Sequence, residues 1–76
     1  MRIYLGGHLD YYNPQGGSWL EVENNQPTPL SELLIELGIP LGDVQLVILN
    51  GTAVDMSETI VTEQDEVKLF SAVGGG

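Results

Sequence analysis

The feature that most constrains the fold is a single helical leucine pattern in a chain whose other apolar segments alternate as strands do. Four leucines between Thr28 and Gly38 recur at helical spacing: Leu30, Leu33, Leu34 and Leu37. They share one face of a helix of about three turns. Thr28 is expected to cap the first turn, Pro29 to take the first helical position and Gly38 to end the helix. A single apolar stripe requires one partner layer, which the strands must supply.

The remaining apolar segments predict strands. They cover residues 1–5, 18–23, 44–49, 52–55 and 66–73. Turn-forming residues 13–17 separate the first two segments, and Asn50-Gly51 is a hairpin signal after the third. One helix laid across a mixed sheet of four or five strands is the economical packing. The sequence therefore predicts an α+β fold of the β-grasp (ubiquitin-like) type over residues 1–73, followed by a flexible C-terminal glycine tail, residues 74–76.

Composition narrows the classes of partner and chemistry. Among the 76 residues, eleven are acidic and only Arg2 and Lys68 are basic, so the formal charge is −9. That charge repels nucleic acid and anionic membrane and favours a basic protein partner. The chain has no cysteine, which excludes disulfides, thiolate metal sites and cysteine nucleophiles. No apolar run reaches the length of a signal peptide or a membrane span, so we expect a soluble cytoplasmic domain.

Alternation within the strands predicts which side chains face outward. Four apolar residues are expected to face the helix: Val47, Leu49, Val67 and Leu69. Three are then left on the outer face beside the tail: Leu46, Ile48 and Phe70. Exposed apolar patches commonly mark partner surfaces. The alternative is that the long first connection folds over this face with Tyr11, Tyr12 or Trp19.

The last residues, Val73-Gly74-Gly75-Gly76, have a chemical interpretation. A terminal carboxylate, with a pKa of about 3.5, is ionised at neutral pH and must be activated before it reacts as an electrophile. Glycine lacks Cβ, so a glycine tail can thread a narrow channel and leave its carbonyl open to attack. When extended, the three steps from Val73 to Gly76 span roughly 10 Å at about 3.3 to 3.6 Å each. That length carries the carboxylate beyond the globular body into another protein.

Four segments together carry a resemblance to a known family: residues 28–39, 46–51, 64–67 and 69–76. They resemble the ubiquitin-like sulfur carriers, which include the small subunit of molybdopterin synthase and the thiazole-forming carrier of thiamine synthesis. The resemblance covers the whole chain. A di-glycine at the C-terminus is its most specific part.

The resemblance implies a role for the tail. A ubiquitin-activating-type (E1-like) enzyme would use ATP to adenylate the carboxylate of Gly76, and a sulfur donor would displace AMP to leave a thiocarboxylate. Gly74 and Gly75, with the outer-face residues, would contact the partners. The chain would then act as a sulfur-carrying cosubstrate and not as an enzyme, with no bound cofactor and no metal.

The resemblance leaves two candidates for the enzyme that accepts the sulfur. The long first connection favours the molybdopterin synthase small subunit, whose partner is the large synthase subunit. Ser71-Ala72 stand where carriers of that type typically have two prolines, which leaves open a thiazole synthase as acceptor. Two other classes stay open: a ubiquitin-like modifier, in which Gly76 is joined to a lysine, and a binding module with an inert tail.

Two polar features are interpreted as having no catalytic or metal-binding role. His8, the only histidine, is interpreted as a surface residue, because a lone histidine in a hairpin seldom has a catalytic role. An acidic group near the last strand lacks the spacing of a calcium loop and is interpreted as a solvated turn: Glu58, Glu63, Asp65 and Glu66.

Overall fold

One helix lies across a mixed five-stranded sheet in the computed structural model, which describes residues 1–72. The elements in chain order are β1 (Arg2–Leu5), β2 (Trp19–Glu21), β3 (Thr28–Pro29), α1 (Leu30–Leu37), β4 (Val44–Leu49), β5 (Thr52–Val54), β6 (Ile60–Val61) and β7 (Glu66–Ser71). The main sheet has the order β2-β1-β7-β4-β5, and β3 pairs with β6 in a second, two-stranded sheet. Strands β1 and β7 are parallel, and the other neighbours in the main sheet are antiparallel. This confirms the predicted β-grasp.

The core forms between the leucine stripe of α1 and one face of the sheet. Its most deeply buried members include Ile3, Leu5, Leu20, Leu30, Leu34, Val67 and Leu69. Leu33 is also buried, and Leu37 is partly buried against the same cluster. Val67 and Leu69 thus face inward, as the alternation of β7 predicts. Val73, expected at the end of that strand, lies outside the described residues.

The start of the helix differs from the prediction. Thr28 and Pro29 form β3 and pair with Val61 and Ile60 of β6, so the helix begins at Leu30. Pro29 is extended, with φ −56° and ψ 132°, and Thr28 makes no capping bond. Its hydroxyl instead lies 3.0 Å from the side-chain oxygen of Asn24. The predicted cap and first helical position were therefore wrong, because pairing with β6 holds this backbone extended.

The end of the helix agrees with the prediction. Gly38 has φ 81° and ψ 20°, the left-handed conformation that glycine adopts at the end of a helix. Its N–H donates to the carbonyl of Ile35 at 3.1 Å. The helix has eight residues, about two turns rather than the three expected.

The long connection between β1 and β2 is organised by a short 3₁₀ helix, Leu9–Tyr12, and by Asn13. Asn13 is buried, and its side-chain amide lies 2.8 Å from the carbonyl oxygen of Gly17 and 3.0 Å from that of Trp19. Its side-chain oxygen accepts a bond of 2.8 Å from the N–H of Gln15. The connection is consequently a defined structure, although its residues predicted only a turn.

A β-bulge in β4 sets the direction of its side chains. Val44 and Val47 are both buried although they are three positions apart, and simple alternation would place them on opposite faces. The register with β7 shifts between Val44 and Leu46, so Gln45 is the extra residue. The bulge places Leu46 on the outer face, opposite Phe70. No helix within residues 1–72 has the length and apolar character needed to cross a membrane.

Candidate functional site

The three residues predicted to form an outer patch lie side by side on the sheet face opposite the helix. Leu46 is directly opposite Phe70 across the β4–β7 pair, and Ile48 is opposite Lys68. Leu46 is 44 % exposed, and Ile48 and Phe70 are partly exposed. We call this surface, together with the aromatic residues described next, the outer face.

Two aromatic residues extend the outer face across the sheet. Tyr4 on β1 stands between Trp19 of β2 and Phe70 of β7, with ring centroids 5.1 Å and 5.8 Å away. The Tyr4 and Trp19 rings meet edge to face, a favourable geometry for aromatic pairs. Sequence reasoning missed Tyr4, although its position between the inward Ile3 and Leu5 was a usable signal.

The connection between β1 and β2 does not fold over the outer face with Tyr11, Tyr12 or Trp19, which was the alternative prediction. Trp19 is in the plane of the face, at its β2 edge, and lengthens it. Tyr11 and Tyr12 pack against each other, with ring centroids 5.2 Å apart, and line a recess elsewhere with Asp43. Phe70 is partly buried instead by its contacts with Tyr4 and Gly6.

Both basic residues of the chain project from the outer face. Arg2 lies with its guanidinium carbon 4.0 Å from the centre of the Trp19 ring and is paired with Glu66 at 3.4 Å. Lys68 lies between Tyr4 and Ile48 in the strand register. A cation over an indole ring is attracted by its π electrons. The outer face therefore combines apolar and aromatic surface with the only positively charged side chains of an acidic protein.

The last strand, β7, ends beside this face at Ser71, and we call Ser71 and Ala72 the root of the tail. The N–H of His8 donates to the Ser71 hydroxyl oxygen at 3.2 Å. Gly7, with φ +65°, leaves room for that hydroxyl, because a Cβ at this position would collide with it. The three predicted tail residues, Gly74, Gly75 and Gly76, lie outside the described residues. The structure thus shows that Ser71, at the root of the tail, is bonded to the loop after β1.

Two recesses that share His8 and Asp43 lie near the end of β7, and one of them is lined by the root of the tail. One, of about 200 Å³, is lined by His8, Gly42, Asp43, Ser71 and Ala72. The other, of about 290 Å³, is lined by His8, Leu9, Tyr11, Tyr12 and Asp43. No sequence pattern indicated either, because their walls come from distant parts of the chain. His8, interpreted as a surface residue without a role, is exposed but borders both.

The acidic turn before β7 contains one structural carboxylate. Asp65 accepts hydrogen bonds from the side-chain amide of Asn50 at 2.8 Å and from the N–H of Thr62 at 2.7 Å. The bond from Asn50 holds the pKa of Asp65 below its usual value. Asn50 also accepts a bond from the N–H of Glu66 at 2.8 Å. Within residues 1–72, no group of three or more histidine, aspartate and glutamate side chains has an arrangement that could hold a metal ion.

Comparison with known proteins connects these features to a family. The model of the ThiS family matches residues 13–76, which is more than half of the chain. The match includes the predicted patch of Leu46, Ile48 and Phe70 and the three terminal glycines, and it leaves out β1 and the first 3₁₀ helix. No curated protein and no solved structure matches the chain.

Proposed function

The chain belongs to the ThiS family of ubiquitin-like sulfur carriers, and on that premise we propose that the carboxylate of Gly76 is the group that carries the sulfur. The proposal is supported by the family match, which extends through the three glycines. It is also supported by the outer face, which adjoins the root of the tail: Phe70 immediately precedes Ser71, the last residue of β7.

Activation of the carboxylate requires a leaving group. In the proposed first step a Gly76 carboxylate oxygen attacks the α-phosphorus of ATP, and pyrophosphate departs, leaving an acyl adenylate. A sulfur donor at the oxidation level of hydrosulfide then attacks the carbonyl carbon. The bond from that carbon to the AMP oxygen breaks, AMP leaves, and a proton passes to solvent. The product is a thiocarboxylate, and no oxidant or reductant is consumed.

The activating enzyme supplies the catalytic groups, and the carrier supplies recognition. Ordering a tail residue costs about 1 to 2 kcal/mol, so the folded body must provide much of the affinity. Leu46, Ile48 and Phe70 contribute exposed apolar area, and burial of such area yields about 25 cal/mol per Å². We therefore assign the outer face to the activating enzyme and to the sulfur acceptor, with Gly74 and Gly75 threading the channel.

For the acceptor we propose the large subunit of a molybdopterin synthase. The observation that favours it is the long connection between β1 and β2, which contains its own 3₁₀ helix, Leu9–Tyr12. The second candidate is a thiazole synthase of thiamine synthesis. It is favoured by Ser71-Ala72, which replace the two prolines typical of the molybdopterin type.

Mass spectrometry of the protein from its native host tests the proposal. Replacement of one carboxylate oxygen by sulfur adds about 16 Da to the C-terminal peptide. A variant lacking Gly75 and Gly76 should fold normally and carry no sulfur. Adducts found only on target lysines would show a ubiquitin-like modifier instead, and full sulfur transfer by the truncated variant would show an inert tail.

Supplying the thiocarboxylated chain to each acceptor separates the two pathways. Transfer to the molybdopterin synthase large subunit, but not to thiazole synthase, is the expected result. Transfer only to thiazole synthase would overturn the assignment of the acceptor and leave the carrier chemistry intact.

A further inference from the structure

The larger of the two recesses near the end of β7 has the form of a side-chain binding site. It encloses about 290 Å³ between the 3₁₀ helix Leu9–Tyr12 and Asp43, and we call it the tyrosine recess. Leu9 is fully buried at its base. The Tyr11 and Tyr12 rings meet at an interplanar angle of 86°, and Tyr11 is 83 % exposed. A large aromatic side chain so exposed contributes little to the core of the free protein.

The polar groups of the tyrosine recess are arranged for a cation. The Tyr12 hydroxyl donates to Oδ2 of Asp43 at 2.8 Å, which orients the carboxylate. That bond also raises the pKa of Tyr12, so the hydroxyl remains a donor. Within residues 1–72, no hydrogen bond is made to Oδ1 of Asp43. A carboxylate with a free oxygen beside two aromatic rings suits a guanidinium, which forms charge-assisted hydrogen bonds and stacks on rings.

The protein does not supply that cation from its own side chains. Its two basic residues, Arg2 and Lys68, lie on the outer face, and Arg2 is held there by Trp19 and Glu66. The carboxylate of the chain's own tail is also a poor occupant, because Asp43 would repel it. The occupant with complementary charge is a basic side chain from another protein.

The position of the tyrosine recess indicates that this protein is one that receives the tail. His8 and Asp43 also line the neighbouring recess, whose other walls include Ser71 and Ala72. Any enzyme that receives the tail must pass over Ala72 and come within reach of the tyrosine recess. We propose that an arginine side chain of the activating enzyme docks in the tyrosine recess, between Tyr11 and the carboxylate of Asp43. This inference rests on the proposed function and names a second contact beyond the outer face.

Adenylation kinetics with the cognate activating enzyme test the inference. Asp43→Asn keeps an acceptor for Tyr12 but removes the charge, and Tyr11→Leu removes the ring. Each should raise the KM for the carrier about 3- to 10-fold, as expected for a lost cation–π or charged contact, with kcat unchanged. Tyr11→Phe, which keeps the ring, should have the KM of the wild-type carrier. Asp10→Asn is the matched control, because Asp10 lies in the same 3₁₀ helix, outside the residues lining the recess.

The outcomes separate the two proposals. If the enzyme does not adenylate the wild-type carrier, the proposed function fails. If it adenylates the wild type and Asp43→Asn and Tyr11→Leu keep the wild-type KM, the arginine contact is overturned. A rise in KM for Asp10→Asn equal to that for Asp43→Asn would also overturn it, since general loss of negative charge would then explain both.

Nuclear magnetic resonance of the full chain provides a readout without the enzyme. Titration with N-acetylarginine amide should shift the ring resonances of Tyr11 and Tyr12 saturably, and Asp43→Asn should weaken that response several-fold. Titration with N-acetylglycine, which mimics the tail carboxylate, should not move them. Shifts with N-acetylglycine alone would show that the tyrosine recess takes the chain's own tail, and would overturn the inference.

Discussion

The hydroxyl oxygen of Ser71 accepts a hydrogen bond of 3.2 Å from the N–H of His8, which joins the end of the last strand to the loop after the first. The parallel β1–β7 pair brings these segments together, with Leu5 beside Leu69 in register. The N–H of Gly6 continues the ladder to the carbonyl of Leu69 at 2.8 Å. The end of β7 at Ser71 is therefore held by a residue 63 positions earlier in the chain.

Gly7→Ala should destabilise the protein by about 2 to 4 kcal/mol. Alanine is strained at the positive φ of this position, and its Cβ would collide with the Ser71 hydroxyl. Urea unfolding measures the effect. Gly16→Ala is the matched control: Gly16 has φ +82°, and nothing lies within 4 Å of the place its new Cβ would occupy. That control should lose only about 1 kcal/mol, the cost of the backbone conformation. Equal losses for both variants would contradict a tight packing of Gly7 against Ser71.

Substitutions on the outer face should weaken the complex with the activating enzyme without unfolding the domain. Phe70→Asp and Leu46→Asp are each expected to raise the Kd at least about 10-fold, as for buried interface anchors. Titration calorimetry measures the Kd, and circular dichroism confirms the fold. Ile35→Asp is the matched control, since Ile35 is 64 % exposed on the helix, away from the outer face, and receives the same charge. An equal loss of affinity for Ile35→Asp would show a general charge effect.

Asn50 should contribute to stability through both its side chain and its backbone. It has φ 50°, and its side chain bonds to Asp65 and to the N–H of Glu66. Asn50→Gly accepts the positive φ but loses both bonds, so it should cost about 1 to 2 kcal/mol in the free energy of unfolding. Asn50→Ala loses the bonds and adds backbone strain, so it should cost about 1 kcal/mol more. Equal stability of the two variants would exclude a contribution from the backbone conformation.

Asp65 should make stability depend on pH in the acid range. The hydrogen bond from Asn50 lowers its pKa in the folded protein, so its contribution is fully present above the ordinary pKa of 3.8. The contribution disappears as the pH falls through the lowered value. The difference in urea midpoint between wild type and Asp65→Asn should thus be largest near neutrality and shrink below pH 3.8. A difference that stays constant down to about pH 2 would show that the ionised carboxylate is not the stabilising form.

The sequence by itself determined the helix, the strands of the main sheet and the two faces of β7. The leucine spacing predicted α1, and Asn50-Gly51 predicted the β4–β5 hairpin, because both patterns depend only on residues close together in the chain. Alternation also placed Phe70 on the face away from Leu69, since successive side chains of a strand point to opposite faces of the sheet.

Only the tertiary structure decided which distant residues meet. Pairing with β6 took Thr28 and Pro29 out of the helix, and the strand order β2-β1-β7 set Tyr4 between Trp19 and Phe70. The tyrosine recess likewise depends on a bond between Tyr12 and Asp43, which lie 31 positions apart. The physical reason is that periodicity determines the direction of a side chain relative to its own backbone. Its neighbours depend on how the elements are ordered in space, which no local pattern encodes.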